Sequence, residues 1–284
     1  MTEPTQTQIE LLAAPPAPTP PSRHKKNRAP ILTTYAIAVF AFIYLPIAVL
    51  ILYSFNRDGV GGFPPTHFTL DWYKQLLSDS AIWNAVLNSL IVAAASVALS
   101  LTLGLLAALA LDRADFPGKP LFRRIVLLPL VLPGIITGLS LLMFAVMAGA
   151  QLSLLTVLLG HGTALISVAT TELFAGLQKL DRAQEEASAD LGATPLQTFF
   201  SVTLPNLKLS LIAAGLLIFT LSMDEIAVTF FLIGRDNTLP LEIWSRLRRG
   251  ITPEINAIST LIFAVSVILI TIWYRLRTRS LTHE

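Results

Sequence analysis

The sequence predicts an all-α, polytopic membrane protein with six transmembrane helices, on three observations. Hydrophobic residues make up 54% of the 284 residues and the mean hydropathy is +0.67. Charged residues make up only 13%, where a soluble domain carries about 25%, too few to coat a globule in water. Every Asp, Glu, Lys and Arg falls outside six apolar stretches. A hydrocarbon core ~30 Å thick needs roughly 20 apolar residues in helix, so stretches of that kind read as spans.

Residues 1–30 are rich in Pro, Thr and Ala and offer no apolar face, which predicts a disordered N-terminal tail. The tail is too polar for a usual signal peptide and the run after it lacks a cleavage pattern, so the first span is expected to be retained. The spans follow at 31–55, 84–111, 125–148, 152–171, 205–223 and 255–274. The fifth is charge-free only over 209–223 and reaches full length from Pro205 if Lys208 snorkels, or by carrying Asp224 and Glu225 to membrane depth. In the third span Pro129 and Pro133 each remove a backbone donor, while Gly134 and Gly138 leave room for close approach. These four predict kinks or tight helix contacts, with packing and a gating hinge both open. The permease body is expected over 31–278, with a short tail at 279–284.

Six spans put both termini on one side. That side collects 14 of the 20 Lys and Arg residues, among them Arg113, Lys119, Arg123, Arg124, Lys179, Arg182 and Lys208. The opposite side keeps Arg57, Lys74, Arg235, Arg246, Arg248 and Arg249. The positive-inside rule then predicts cytoplasmic termini.

The cytoplasmic loop over 174–205 contains LQKLDRAQEEASADLGATPLQTFFSVTLP, which has the punctuation of two short helices. Asp181 with Gln184 reads as a capping box, and Gly192 as a left-handed stop. Thr194 then reads as an N-cap, Pro195 as the first helical position, and Leu196, Phe199 and Phe200 as an apolar stripe at i, i+3 and i+4. Such a stripe needs a lipid surface or a partner. Glu186-Ala187-Ser188, then Gly192, then nine residues, then Val202-x-Leu204-Pro205 resembles the EAA loop of ABC importer permeases. Ser188 and Val202 depart from that family's alanine and isoleucine. The resemblance implies the type I importer permease fold and a loop that docks on a cytoplasmic ATPase. Its implied coupling residues are Glu186, Ala187, Ser188, Gly192, Leu196, Phe199, Phe200 and Pro205.

The chain has no G-x-x-x-x-G-K-[ST] phosphate loop, so ATP hydrolysis is expected in a partner and the chain is expected not to be an enzyme. Absent cysteine excludes disulfides and thiolate chemistry, and the four histidines are too scattered for a metal site. No catalytic residue, metal or cofactor is expected. The net charge of +2 gives no reason to expect nucleic acid. Asp224 and Glu225 interrupt the apolar run 209–233 and are the candidate substrate-path residues, as partners for a cationic solute or as a loop anchor capped by backbone. His161 reads as a hydrogen-bonded packing residue rather than a proton relay. Trp72, Tyr73 and Trp83 read as interfacial anchors, and Arg246, Arg248 and Arg249 as contacts for headgroups or for acidic groups on a soluble partner.

The segment SMDEIAVTFFLIGRDNTLPLEIWSRLRRGITPEINAIST, with FTLDWYKQLL and IWNAVLNSL, resembles the second permease subunit of spermidine/putrescine importers over roughly 31–278. The resemblance implies import of a polyamine across a bacterial inner membrane. It also implies a second, related permease subunit, two copies of an ATPase subunit and a periplasmic binding protein as partners. A secondary, ion-coupled transporter of a small organic solute is the alternative by span content alone.

Overall fold

A computed structural model of the chain describes residues 29–58, 64–65, 67–250 and 252–280. The expected N-terminal tail lies outside these residues except for its last two, and the expected C-terminal tail except for its first two. The described chain is helical, and its β pairing is a single isolated bridge between Asn56 and Phe68. Two compact units divide it, residues 1–49 and 50–284. The described part of the first is helix α1 (Ala29–Tyr53), which contains Pro46 and runs on into the second.

The second unit continues with α2 (Asp71–Ser78) and α3 (Ser80–Arg113), and then α4 (Lys119–Leu127), which passes through a 3₁₀ turn to α5 (Gly134–Met147). Next come α6 (Leu154–Leu177), α7 (Ala183–Asp190), α8 (Pro195–Thr198), a π-helical turn at Phe199–Thr203 and α9 (Leu204–Asn206). The chain closes with α10 (Lys208–Met223), α11 (Ala227–Leu232), α12 (Leu239–Arg249) and α13 (Pro253–Ser280).

Among the described residues, α1, α3 and α6 are each long and apolar enough to cross a membrane, and two bent pairs raise the number to five. A shorter apolar run, Pro253–Ile268, lies in α13. The bent pair at 125–148 carries the kink that its prolines and glycines predict, whereas the pair at 205–223 differs from the continuous span expected there. The first bends by 106° between Leu130 and Gly134, because Pro129 and Pro133 both withdraw backbone donors within one turn. Only α5 continues straight from there. The second bends by 66° at Leu207, so the straight helix starts at Lys208 rather than at Pro205. The π turn has a local cause: the Pro205 ring excludes the carbonyl four residues back, and Leu204 N–H instead reaches the Phe199 carbonyl five residues back.

The core is α3 packed along α6, with α10 across both. Small residues set the spacing: Gly104 of α3 lies so close to Ala169 of α6 that a Cβ there would collide with it. Ser100 Oγ donates to the Gly162 carbonyl at 3.0 Å, tying the two helices inside the apolar contact. At the end near the 183–206 loop, Ala108, Leu173, Leu177, Leu207 and Ala214 are buried together. Towards the other end the buried set is Val92, Val157, Val228 and Leu232. Beyond it, Leu76 of α2 and Ile82 at the start of α3 pack on Ala257 and Ile258 of α13. Outside this core, large side chains such as Val131, Phe144, Met147 and Leu216 stand exposed, a surface suited to lipid or to another chain's helices.

Candidate functional site

Two regions gather the residues singled out in the sequence. The first is the loop between α6 and α10. Asp181 Oδ1 accepts from the Ala183 amide at 3.0 Å and so starts α7. Gln184 does not complete the expected capping box, because its side-chain oxygen accepts from Asn206 Nδ2 at 2.8 Å. Gly192 ends α7 with φ +85°, a left-handed conformation that costs an L side chain about 1–2 kcal/mol. Thr194 caps α8 as expected, and Gln197 reciprocates by accepting from the Thr194 amide at 2.8 Å.

Glu186 and Ala187 are exposed on α7, while Ser188 turns inward to share a 3.0 Å hydrogen bond with Thr198. Phe199 is half-buried against Phe200. The apolar surface of the loop is open: Leu191 is 90% exposed, Leu196 67% and Phe200 57%. Three large apolar side chains on a capped loop beside charged ones form an exposed apolar patch. Pro205 stands between the π turn and the bend at Leu207.

Sequence reasoning missed what holds this loop. Arg113, the last residue of α3, donates to Glu185 Oε1 of α7 at 2.5 Å and to Thr203 Oγ1 at 3.3 Å. The buried Thr203 hydroxyl in turn donates to Glu185. The neighbouring Asp112 accepts from Gln178 Nε2 at 2.6 Å and pairs with Arg182 at 3.4 Å. Partners some seventy positions apart leave no local spacing signal. Charges at the mouth of a span are the one available hint.

The second region lies where the first bent pair breaks and where the chain is interrupted between α10 and α11. Gly134, which opens α5, lies against the start of α11: a Cβ on it would sit 3.3 Å from Ala227 Cβ and 3.6 Å from Glu225 Oε1. One turn on, Gly138 packs on Phe231 and on the Val228 backbone. The proline-glycine segment and the acidic pair, read separately in the sequence, are therefore one place. Discontinuous helices meeting inside a bundle are the usual way to bring backbone polarity and charge to membrane depth.

Within that place the two acids differ. Glu225 Oε1 accepts from the Val228 amide at 2.9 Å and caps α11, so this carboxylate is the anchor. Asp224 is exposed at the end of α10, and its carboxylate forms no hydrogen bond or ion pair among the described residues. Behind them His161 of α6 is buried, its Nδ1 2.8 Å from Ser222 Oγ and its Nε2 2.9 Å from Thr229 Oγ1. The Thr229 proton is committed to the Glu225 carbonyl at 2.8 Å, so Thr229 accepts from Nε2–H, and Nδ1 shares the second hydrogen bond with the Ser222 hydroxyl. His161 thus staples α6 to both sides of the break, which matches its reading as a packing residue.

At the far end of the bundle the three arginines of α12 divide. Arg248 and Arg249 are exposed, whereas Arg246 pairs with Asp79 Oδ2 at 2.7 Å and Glu242 Oε1 at 2.8 Å. Burial pushes the Asp79 carboxyl up, but Arg246 and the Ile82 and Ala81 amides outweigh it and hold the carboxyl below its usual range. Burial likewise opposes the charge on Arg246, and Glu242 and Asp79 raise its pKa above the ordinary value. Trp72 and Tyr73 are tied inward: Trp72 Nε1 donates to the Asn56 carbonyl at 2.9 Å and Tyr73 Oη lies 2.6 Å from Ser54 Oγ. Trp83 is 48% exposed. Among the described residues no three acidic or imidazole side chains cluster as metal ligands.

The family model for the binding-protein-dependent transport system inner membrane component matches residues 100–283. The putrescine transport system permease protein PotI of Escherichia coli K12 is 38% identical over 256 residues, covering 87% of this chain and 91% of its own. The spermidine/putrescine transport system permease protein PotC of Escherichia coli K12 is 33% identical over 238 residues, covering 83% and 89%. Among solved structures, a bacterial ABC transporter involved in import of the acidic polysaccharide alginate superposes with a TM-score of 0.66 at 18% identity. That match covers 92% of this chain and 99% of the other. An amino acid ABC transporter solved with histidines gives a TM-score of 0.53 at 16% identity, covering 73% and 99%. The structural matches support the fold, and the sequence matches place the chain among transport subunits that leave ATP hydrolysis to another protein. The chain belongs to the binding-protein-dependent transport system inner membrane component family, as a multi-pass permease subunit of an ABC importer.

Proposed function

We propose that this permease carries a small cationic solute of the polyamine class, putrescine or spermidine, through a bacterial inner membrane. In this reading it pairs with a second, related permease subunit and receives its solute from a periplasmic binding protein. Two copies of a cytoplasmic ATPase drive it, docking on the loop 174–205. Six spans with both termini cytoplasmic complete the picture, the sixth being α13.

The observation that carries the reading is the loop surface of Leu191, Leu196 and Phe200, exposed on helices whose ends are capped and whose stop is the left-handed Gly192. Glu186 and Ala187 are also exposed on the loop and join that surface as coupling contacts, with Ser188, Phe199 and Pro205 shaping the support beneath. The polyamine assignment draws on the relatives named for putrescine and spermidine. It gains a chemical reason from Asp224, an exposed carboxylate at a break in the bundle, which can exchange water for an ammonium group.

The test is uptake of radiolabelled putrescine by proteoliposomes holding the full complex, with ATP inside and the loaded binding protein outside. Asp224→Asn is expected to lower uptake about tenfold, because a charge-assisted hydrogen bond contributes ~1.5–3 kcal/mol. Glu225→Gln is expected to act chiefly by loosening α11. Uptake that needs no ATP, or that is unchanged by Asp224→Asn, would remove the corresponding part of the proposal.

A further inference from the structure

The 183–206 loop meets three long helices, and the three connections are of different kinds. It leaves α6 through the covalent turn at 178–182 and enters α10 through the 66° bend at Leu207. With α3 it has no chain connection, only side chains. Those side chains form a crossed pair: Asp112 with Arg182, and Arg113 with Glu185. Two adjacent residues of opposite sign on α3 read two residues of opposite sign three positions apart at the start of α7. A rotation of α7 that broke this match would set Asp112 against Glu185 and Arg113 against Arg182, which like-charge repulsion forbids.

The carboxylates of the pairing are sheltered and its guanidinium groups are not. The Asp112 side chain is 5% exposed and that of Glu185 19%, against 66% for Arg182 and 36% for Arg113, and Glu185 shares its oxygen with the fully buried Thr203. Removing Arg113 therefore leaves a largely buried carboxylate with less compensation, which costs more than losing a fully exposed ion pair does. α3 itself is suited to carry a displacement. It runs 34 residues without a proline or a break, about 51 Å of continuous helix. Its far end is fixed to the segment leading into α12: Ser89 Oγ accepts from the Leu239 amide at 2.8 Å and Asn88 Nδ2 donates to the Asn237 carbonyl at 2.9 Å. By contrast, the chain from α9 into α10 is interrupted at Leu207 and again after Met223.

We propose that Asp112 and Arg113 form the joint through which α7 moves α3, so that α3 transmits loop displacement to the far face of the bundle. Both are positioning residues, argued to act through α7 and α3. The proposal rests on the reading of the loop as the ATPase-docking element.

Charge reversal tests it in the reconstituted complex with ATPase and binding protein present. Arg113→Glu and Glu185→Arg are each expected to reduce the stimulation of ATP hydrolysis by loaded binding protein about tenfold, with the ATPase subunit still co-purifying. The double variant Arg113→Glu/Glu185→Arg restores the pair with its sign inverted and is expected to recover stimulation to within about twofold of wild type. Single reversals with wild-type stimulation overturn the proposal, and so does a double variant no better than the worse single one. If a reversal prevents membrane insertion, Arg113→Ala and Arg113→Lys replace it, and equal stimulation by the two overturns the proposal. The docking reading is tested separately by Phe200→Asp, outside the joint: an ATPase that still co-purifies with this variant sinks docking on the exposed apolar face.

Discussion

His161 shows how much one side chain can organise without being chemically active. Its imidazole joins α6 to Ser222 on one side of the break and to Thr229 on the other. Removing the ring leaves the Ser222 hydroxyl, 5% exposed, with no partner, while Thr229 keeps its bond to the Glu225 carbonyl. One newly unsatisfied buried hydroxyl costs about 1–3 kcal/mol, so His161→Leu is expected to lower the midpoint of thermal unfolding of the detergent-purified complex. An unchanged midpoint would mean that the network carries no stability. The sequence supports the residue's packing role because a lone histidine in an apolar run must be satisfied internally. It conceals the partners, which lie 61 and 68 positions away. The split between Asp224 and Glu225 is concealed for a different reason: it turns on one local hydrogen bond, from the Val228 amide to Glu225, and a backbone-capped anchor in the sequence does not say which of two adjacent acids makes it.

Local rules decide much about each element, and they fail where a distant group competes. Thr194, Pro195 and Gly192 act as local punctuation predicts, since each acts on backbone within a few residues. Gln184 leaves its expected cap because Asn206, brought near by the fold, takes its side-chain oxygen. The third span breaks because two prolines fall four residues apart with nothing to repair the lost donors. Asp79, missed in the sequence, performs two tasks at the start of α3. It caps the helix through the Ala81 and Ile82 amides at 2.9 and 3.3 Å, and it pairs with Arg246. Asp79→Asn keeps the cap and loses the ion pair; Asp79→Ala loses both and is expected to unfold more readily by about a further 1 kcal/mol. Because the folded-state pKa of Asp79 lies below its ordinary 3.8, its contribution is complete above that value and is lost as pH falls through the lower one. Thermal unfolding between pH 7 and 5 should therefore be flat with respect to this residue, and the gap between wild type and Asp79→Asn should close only under stronger acid. A gap that closed near neutral pH would contradict the assignment.

At the scale of the molecule, lipid as solvent is what makes the sequence readable. A charge left in hydrocarbon costs several kcal/mol, so exclusion of every Asp, Glu, Lys and Arg from six stretches outlines the helices. How those helices meet is set by dispersion and small-residue contacts that carry no such penalty, which is why the meeting of Gly134 with Glu225 had no signature. Orientation belongs to the first kind of information. Among the described residues, the end with the 183–206 loop also holds Arg123, Arg124, Lys179 and Lys208, and the opposite end carries α2 and α12. The absence of cysteine makes this testable with single reporters. A cysteine replacing exposed Leu77 of α2 is expected to react with a membrane-impermeant maleimide in intact spheroplasts, and one replacing Ser280 only after the membrane is opened. The reverse pattern would place the loop on the periplasmic face, where no ATP-driven partner could reach Leu196 and Phe200. Labelling of both positions from outside would mean an odd number of spans, and would remove α13 or one bent pair from the membrane.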